Sequence, residues 1–144
     1  MLPEYEAQIE QVLGSSFQDG SIKLELSFGS VAEAKLIKKR LTQMQRELRA
    51  IKSAINNEMK LIRAEYNSKI ANVSSSMGSV VGSLIFGRKA SGRFNAMEKQ
   101  ALREERDRVL APYQDTKNTI DRIIIQLDSG KVTIDQWILS QSDN

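Results

Sequence analysis

Apolar residues recur along this chain with two different periods, and the period decides the element. Ile37, Leu41, Met44, Leu48, Ile51 and Ile55 alternate spacings of four and three, and after one extra step of four the series continues through Met59, Ile62, Tyr66, Ile70 and Val73. Such a series lays one apolar stripe along a helix that packs on a partner helix, with a stutter where the longer step repeats. Ser30 followed three residues later by Glu33, just after Gly29, is a capping box that starts this helix. A second stripe runs through Phe94, Met97, Leu102, Val109, Tyr113, Thr116, Ile120, Ile123 and Leu127, and ends before Ser129 and Gly130, which suit a C-terminal stop. Pro112 lacks an N–H and is expected to kink this second helix, or to break it.

Two such stripes face each other as an antiparallel pair when opposing residues have position numbers adding to nearly one constant, because both helices rise equally per residue. A constant of about 168 pairs Leu41 with Leu127, Met44 with Ile124, Leu48 with Ile120, Ile55 with Tyr113, Met59 with Val109 and Tyr66 with Leu102. A constant of about 167 pairs Ile70 with Met97 and Val73 with Phe94.

The predicted fold class is therefore mainly α: a long antiparallel two-helix coiled-coil hairpin with a short N-terminal helix and one or two short strands at its base. One elongated domain, 1–144, is divided into an N-terminal helix and strand (1–29), the first long helix (30–76), a Gly/Ser-rich apolar tip (77–92), the second long helix (93–128) and a C-terminal strand or short helix (129–144). In Ser21 to Phe28 the period falls to two, with Ile22, Leu24, Leu26 and Phe28 alternating with Lys23, Glu25 and Ser27 as in a half-buried strand. Lys131 to Leu139 carries both patterns. Val132 and Ile134 alternate like a strand, whereas Thr133 and Gln136 could cap a short helix carrying Trp137 and Ile138; the strand is the preferred reading.

Composition narrows the chemistry. The chain has no Cys and no His, which removes disulfides, thiolate nucleophiles, Cys/His zinc sites, imidazole bases and the Ser/His/Asp relay together. Catalysis is not expected, nor is a cofactor, a metal or a small-molecule substrate. Glu98, Glu104, Glu105 and Asp107 are the one acidic cluster, and the pairing rule sets Glu105 near Arg63, which makes an ion pair the better explanation than a metal or acid–base site. The first residues carry Glu4, Glu6 and Glu10 where a secretion signal would be basic and apolar, so a cytoplasmic location is expected. The longest apolar-leaning run, Met77 to Phe86, is about half of what a membrane crossing needs.

Charge is uneven: about −4 over residues 1–29, about +6 over 30–73, about +3 over 74–93 and about −2 beyond, for a net +3. On the first long helix Lys35, Lys38, Lys39, Arg46, Arg49 and Lys60 fall within about 100° of one another opposite the apolar stripe. This stripe is a candidate anion-binding surface for nucleic acid or an anionic membrane, although a solvated helix face has the same composition, and no aromatic stacking platform accompanies it. Within the tip, Val80, Val81, Leu84, Ile85, Phe86, Arg88 and Lys89 form a candidate interaction surface, and the alternative is a local mini-core between the helix ends. Gly82 to Lys89 has phosphate-loop glycine spacing, but Arg88 stands where Lys is required and Lys89 where the metal-binding hydroxyl belongs, so nucleotide binding is not expected. Met77 to Arg93 is similar to the glycine-rich tips of coiled-coil segments in some bacterial ATPases; the similarity stops at the tip, because no ATPase motif accompanies it.

From these features the expected function is a non-enzymatic coiled-coil interaction or scaffold module, self-associating or bound to another protein. The alternative is binding of nucleic acid or an anionic membrane surface through the basic stripe and the tip.

Overall fold

The computed structural model describes the backbone of residues 1–75 and 77–142 and the side chains of residues 1–73 and 94–141. The fold class is the expected one, mainly α and hairpin-like: α1 (Pro3–Leu13), a single 3-10 turn, the two-residue strands β1 (Phe17–Gln18) and β2 (Ser21–Ile22), and the long helices α2 (Val31–Ser75) and α3 (Met77–Ser142). The chain forms two units, Met1–Ile55 with Gln114–Asn144, and Asn56–Tyr113.

In the first unit the helix starts follow local rules. Pro3 opens α1, where its missing N–H costs nothing, and Glu4 and Glu6 sit favourably in the first turn. Tyr5, Ile9 and Leu13, each four residues after the last, form its buried face. The capping box at α2 is present: Glu33 N–H donates to Ser30 Oγ at 3.1 Å, while the Glu33 carboxylate accepts from Gly29 N–H at 2.9 Å. Between these helices Asp19 and Gly20 both have positive φ, 52° and 77°, as a two-residue turn between antiparallel strands demands, and Phe17 pairs with Ile22 and Gln18 with Ser21.

Beyond Ile22 the strand expected over Ser21 to Phe28 has no ladder partner, yet its alternation is realised. Ile22, Leu24, Leu26 and Phe28 are half-buried and Lys23, Glu25 and Ser27 exposed, because the segment lies along α3 instead of in a sheet. Ile22 N–H donates to Gln126 Oε1 at 3.3 Å, Leu24 and Leu26 reach the backbone at Gly130, and the Phe28 ring sits 5.1 Å from that of Trp137, tilted by 52°.

That packing explains the largest departure from the sequence reading. Lys131 to Leu139 is neither a strand nor a separate short helix, and Ser129 and Gly130 do not end the second helix, which runs on to Ser142. Ile120, Ile123, Leu127, Gly130 and Ile134 continue one stripe at spacings of three and four, all buried, whereas Val132, the residue that suggested alternation, is 54% exposed. Gly130 is there for clearance: a Cβ would lie 2.9 Å from Leu24 Cδ1 and 3.3 Å from Leu41 Cδ1.

The register also differs. Lys38 pairs with Asp135 at 2.7 Å, Gln45 with Asp128 at 2.7 Å and Lys52 with Asp121 at 2.5 Å, so that position numbers add to 173 in all three. These positions recur every seven residues on both helices, giving a polar ladder beside the apolar seam. Gly130 beside Leu41 gives 171. The expected constant of about 168 is therefore wrong by roughly one helical turn, because seams built of threes and fours match nearly as well one turn along.

In the second unit the core is thinner. Met59, Tyr66, Val73 and Leu110 are buried and Leu102 is half-buried, but Phe94, Met97 and Val109, placed on the seam by the sequence reading, are 66%, 73% and 37% exposed. The same register change accounts for Glu105, which makes no ion pair with Arg63. Its partner is the Tyr66 hydroxyl, whose pKa it helps to raise. Pro112 does not break α3.

Candidate interaction surfaces

Helix α2 turns most of the basic stripe outward. Lys35, Lys39, Arg46 and Arg49 in the first unit are exposed and engage no acid or hydrogen-bond acceptor among the described residues, and the same holds for Lys60 in the second unit. Lys38 departs from the pattern: half-buried, it is held by Asp135 in the ladder between α2 and α3. Arg40 lies outside the stripe, yet it lines a shallow open groove with Leu36, Lys39, Thr42, Gln43 and Arg46, in which Leu36 is 53% exposed. Apart from Lys38, the stripe is therefore a row of cations with no acid partner among the described residues, with Leu36 exposed beside it.

Three aspartates of the first unit are spent differently. Asp121, Asp128 and Asp135 all lie on the inner flank of α3, where they meet Lys52, Gln45 and Lys38. Gln45, 1% exposed, is fully used: its amide donates to Asp128 and to the Ile124 carbonyl at 3.1 Å, and its oxygen accepts from Lys131 at 2.8 Å. Asp121 and Asp135 meet lysines between the helices, whereas Lys35, Lys39, Arg46 and Arg49 on the outer face of α2 meet no acid among the described residues.

A surface missed in the sequence lies on α3. Ile125, Val132 and Leu139 are 64%, 54% and 64% exposed, seven residues apart, on the side of α3 turned away from Ile120, Ile123, Leu127 and Ile134. A helical period carried past residue 129 would have found them. The expected stop at Gly130 hid two of the three. The tip residues Val80, Val81, Leu84, Ile85, Phe86, Arg88 and Lys89 lie outside the residues whose side chains are described.

Near the Tyr66 hydroxyl, desolvation raises its pKa above the ordinary 10.0, and the hydrogen bond and negative charge of Glu105 act in the same direction, against the opposing pull of Lys69. The Lys69 ammonium stands 4.7 Å from the ring centroid.

Among the described residues no group of three or more carboxylates is placed to hold a metal ion, and no helix is long and apolar enough to cross a membrane. Compared with protein-family models, curated proteins and solved structures, the chain matches none.

Proposed function

We propose that this chain is a non-enzymatic interaction or scaffold module that associates with itself through coiled-coil-like contacts. The observation that carries this reading is the row Ile125, Val132 and Leu139, each more than half exposed at heptad spacing on the outer face of α3. Single exposed aliphatics are ordinary, but a row along one face is what a second helix covers. Burying three such side chains contributes on the order of 1 to 2 kcal/mol each. The partner is a second copy or another protein presenting a matching helix. Light scattering after size-exclusion chromatography tests this: the mass should rise with concentration and persist at high salt, since apolar association is not screened.

A second reading has its own observation. Lys35, Lys39, Arg46 and Arg49 are exposed without neutralising acids among the described residues, which suits nucleic acid phosphate or an anionic membrane surface. Affinity for either should fall steeply between low and moderate salt. Reversal of Arg46 and Arg49 to Glu should abolish it. Binding to DNA or anionic vesicles that persists in this variant sinks this second reading.

A further inference from the structure

Ser21-Ile22-Lys23-Leu24-Glu25-Leu26-Ser27 is self-complementary when read against itself in the opposite direction. Centred on Leu24, an antiparallel pairing sets Ser21 opposite Ser27, Ile22 opposite Leu26, and Lys23 opposite Glu25 twice over. Like residues meet like, except at the one place where opposite charges meet.

The backbone of this segment is ready for such a partner. β1 is only two residues long, and its pairing with the segment ends at the bond from Lys23 N–H to Ser16 O, 2.8 Å. From Leu24 to Phe28 no backbone or side-chain hydrogen bond is made among the described residues. Because Lys23 directs its N–H towards the β1 side, Ile22, Leu24 and Leu26 direct theirs to the opposite edge. On that edge Gln126 Oε1, accepting from Ile22 N–H at 3.3 Å, is the one competitor among the described residues. Side chains are already sorted. Ile22, Leu24 and Leu26 face α3, Lys23 and Glu25 face solvent, and neither of the two charges has an ion-pair partner among the described residues.

We propose that two copies of this chain pair edge to edge, antiparallel, through Ser21 to Ser27. On the free edge Leu24 meets Leu24 of the other copy, and Ile22 meets Leu26, as hydrogen-bonded pairs. Lys23 and Glu25 then fall at the non-hydrogen-bonded position, where side chains approach most closely. The proposal rests on the self-association read above and names one contact through which it occurs. A seven-residue ladder is smaller than a standard interface, so it acts together with apolar surface elsewhere.

Charge exchange tests it. Lys23→Glu alone sets Glu against Glu in the pair of like copies, and Glu25→Lys alone sets Lys against Lys. Mixing the two variants restores both opposite-charge contacts to the wild-type level, whereas a parallel pairing, which sets like charges together in the wild type, would make the mixture tighter than the wild type. Sedimentation velocity at about 100 μM should find each variant associating on the order of tenfold more weakly than the wild type, and the equimolar mixture recovering it. Circular dichroism on each variant checks that the helices remain. If the single variants associate like the wild type, or the mixture recovers nothing, edge pairing is overturned while self-association stands. A wild type that is monomeric throughout overturns both.

Discussion

The Lys38 ammonium donates to Asp135 Oδ1 across 2.7 Å, and the same offset returns at Lys52 and Asp121. Between them the buried Gln45 bonds Asp128, at the same offset, and Lys131. An apolar seam alone tolerates a slip of one turn. A slip would unpair all three polar positions, so the ladder selects the register as much as the seam supplies the stability.

The members of the ladder should therefore differ in cost. Lys38→Ala and Lys52→Ala remove half-exposed ion pairs and should lower stability by less than about 1 kcal/mol each. Gln45→Ala removes three hydrogen bonds in a buried site and should cost about 1 to 3 kcal/mol. Urea denaturation checks the order; equal costs would contradict the assignment of Gln45 as the buried keystone.

Gly130 should reject large side chains. Between Leu24 and Leu41 even a Cβ requires the leucine tips to give way, so Gly130→Leu should destabilise by about 1 to 3 kcal/mol in thermal unfolding. Gly130→Ala should be near neutral. Alanine is worth about 1 kcal/mol more in a helix, which offsets the shift it imposes on the tip of Leu24.

Tyr66 should ionise late. In a Tyr5→Phe, Tyr113→Phe background its phenolate absorbance should appear with a midpoint above 10.0, and Glu105→Gln should bring the midpoint down. The folded-state pKa is raised, so the stability it contributes is fully present below pH 10.0 and is lost as pH rises through the folded value. A midpoint at or below the ordinary value contradicts the Glu105 contact.

Local rules made parts of this fold legible. The Ser30/Glu33 cap, the Pro3 start of α1 and the first apolar stripe depend on residues within a turn or two of one another. Gly130 could not be read because its reason is tertiary: Leu24 and Leu26 arrive from a segment about one hundred positions away. Val132 and Ile134 misled for a different cause, since two apolar residues spaced by two fit either period. The Asp19-Gly20 turn is legible too, since that dipeptide between alternating residues is a strong hairpin signal. Of the candidate surfaces, five of the six cations in the stripe could be placed from helical angle alone. Lys38 could not, because its partner Asp135 lies in the stretch expected to be a strand.

Self-association is the central claim, and sedimentation equilibrium on the wild type and on Ile125→Lys/Val132→Lys/Leu139→Lys tests it most directly. The wild type should show a weight-average mass that rises above the 16.2 kDa of one chain with concentration, at low and high salt alike. The triple variant should fall towards one chain while its helix content holds. A wild type that stays at one chain throughout, or a triple variant indistinguishable from it, would contradict the account.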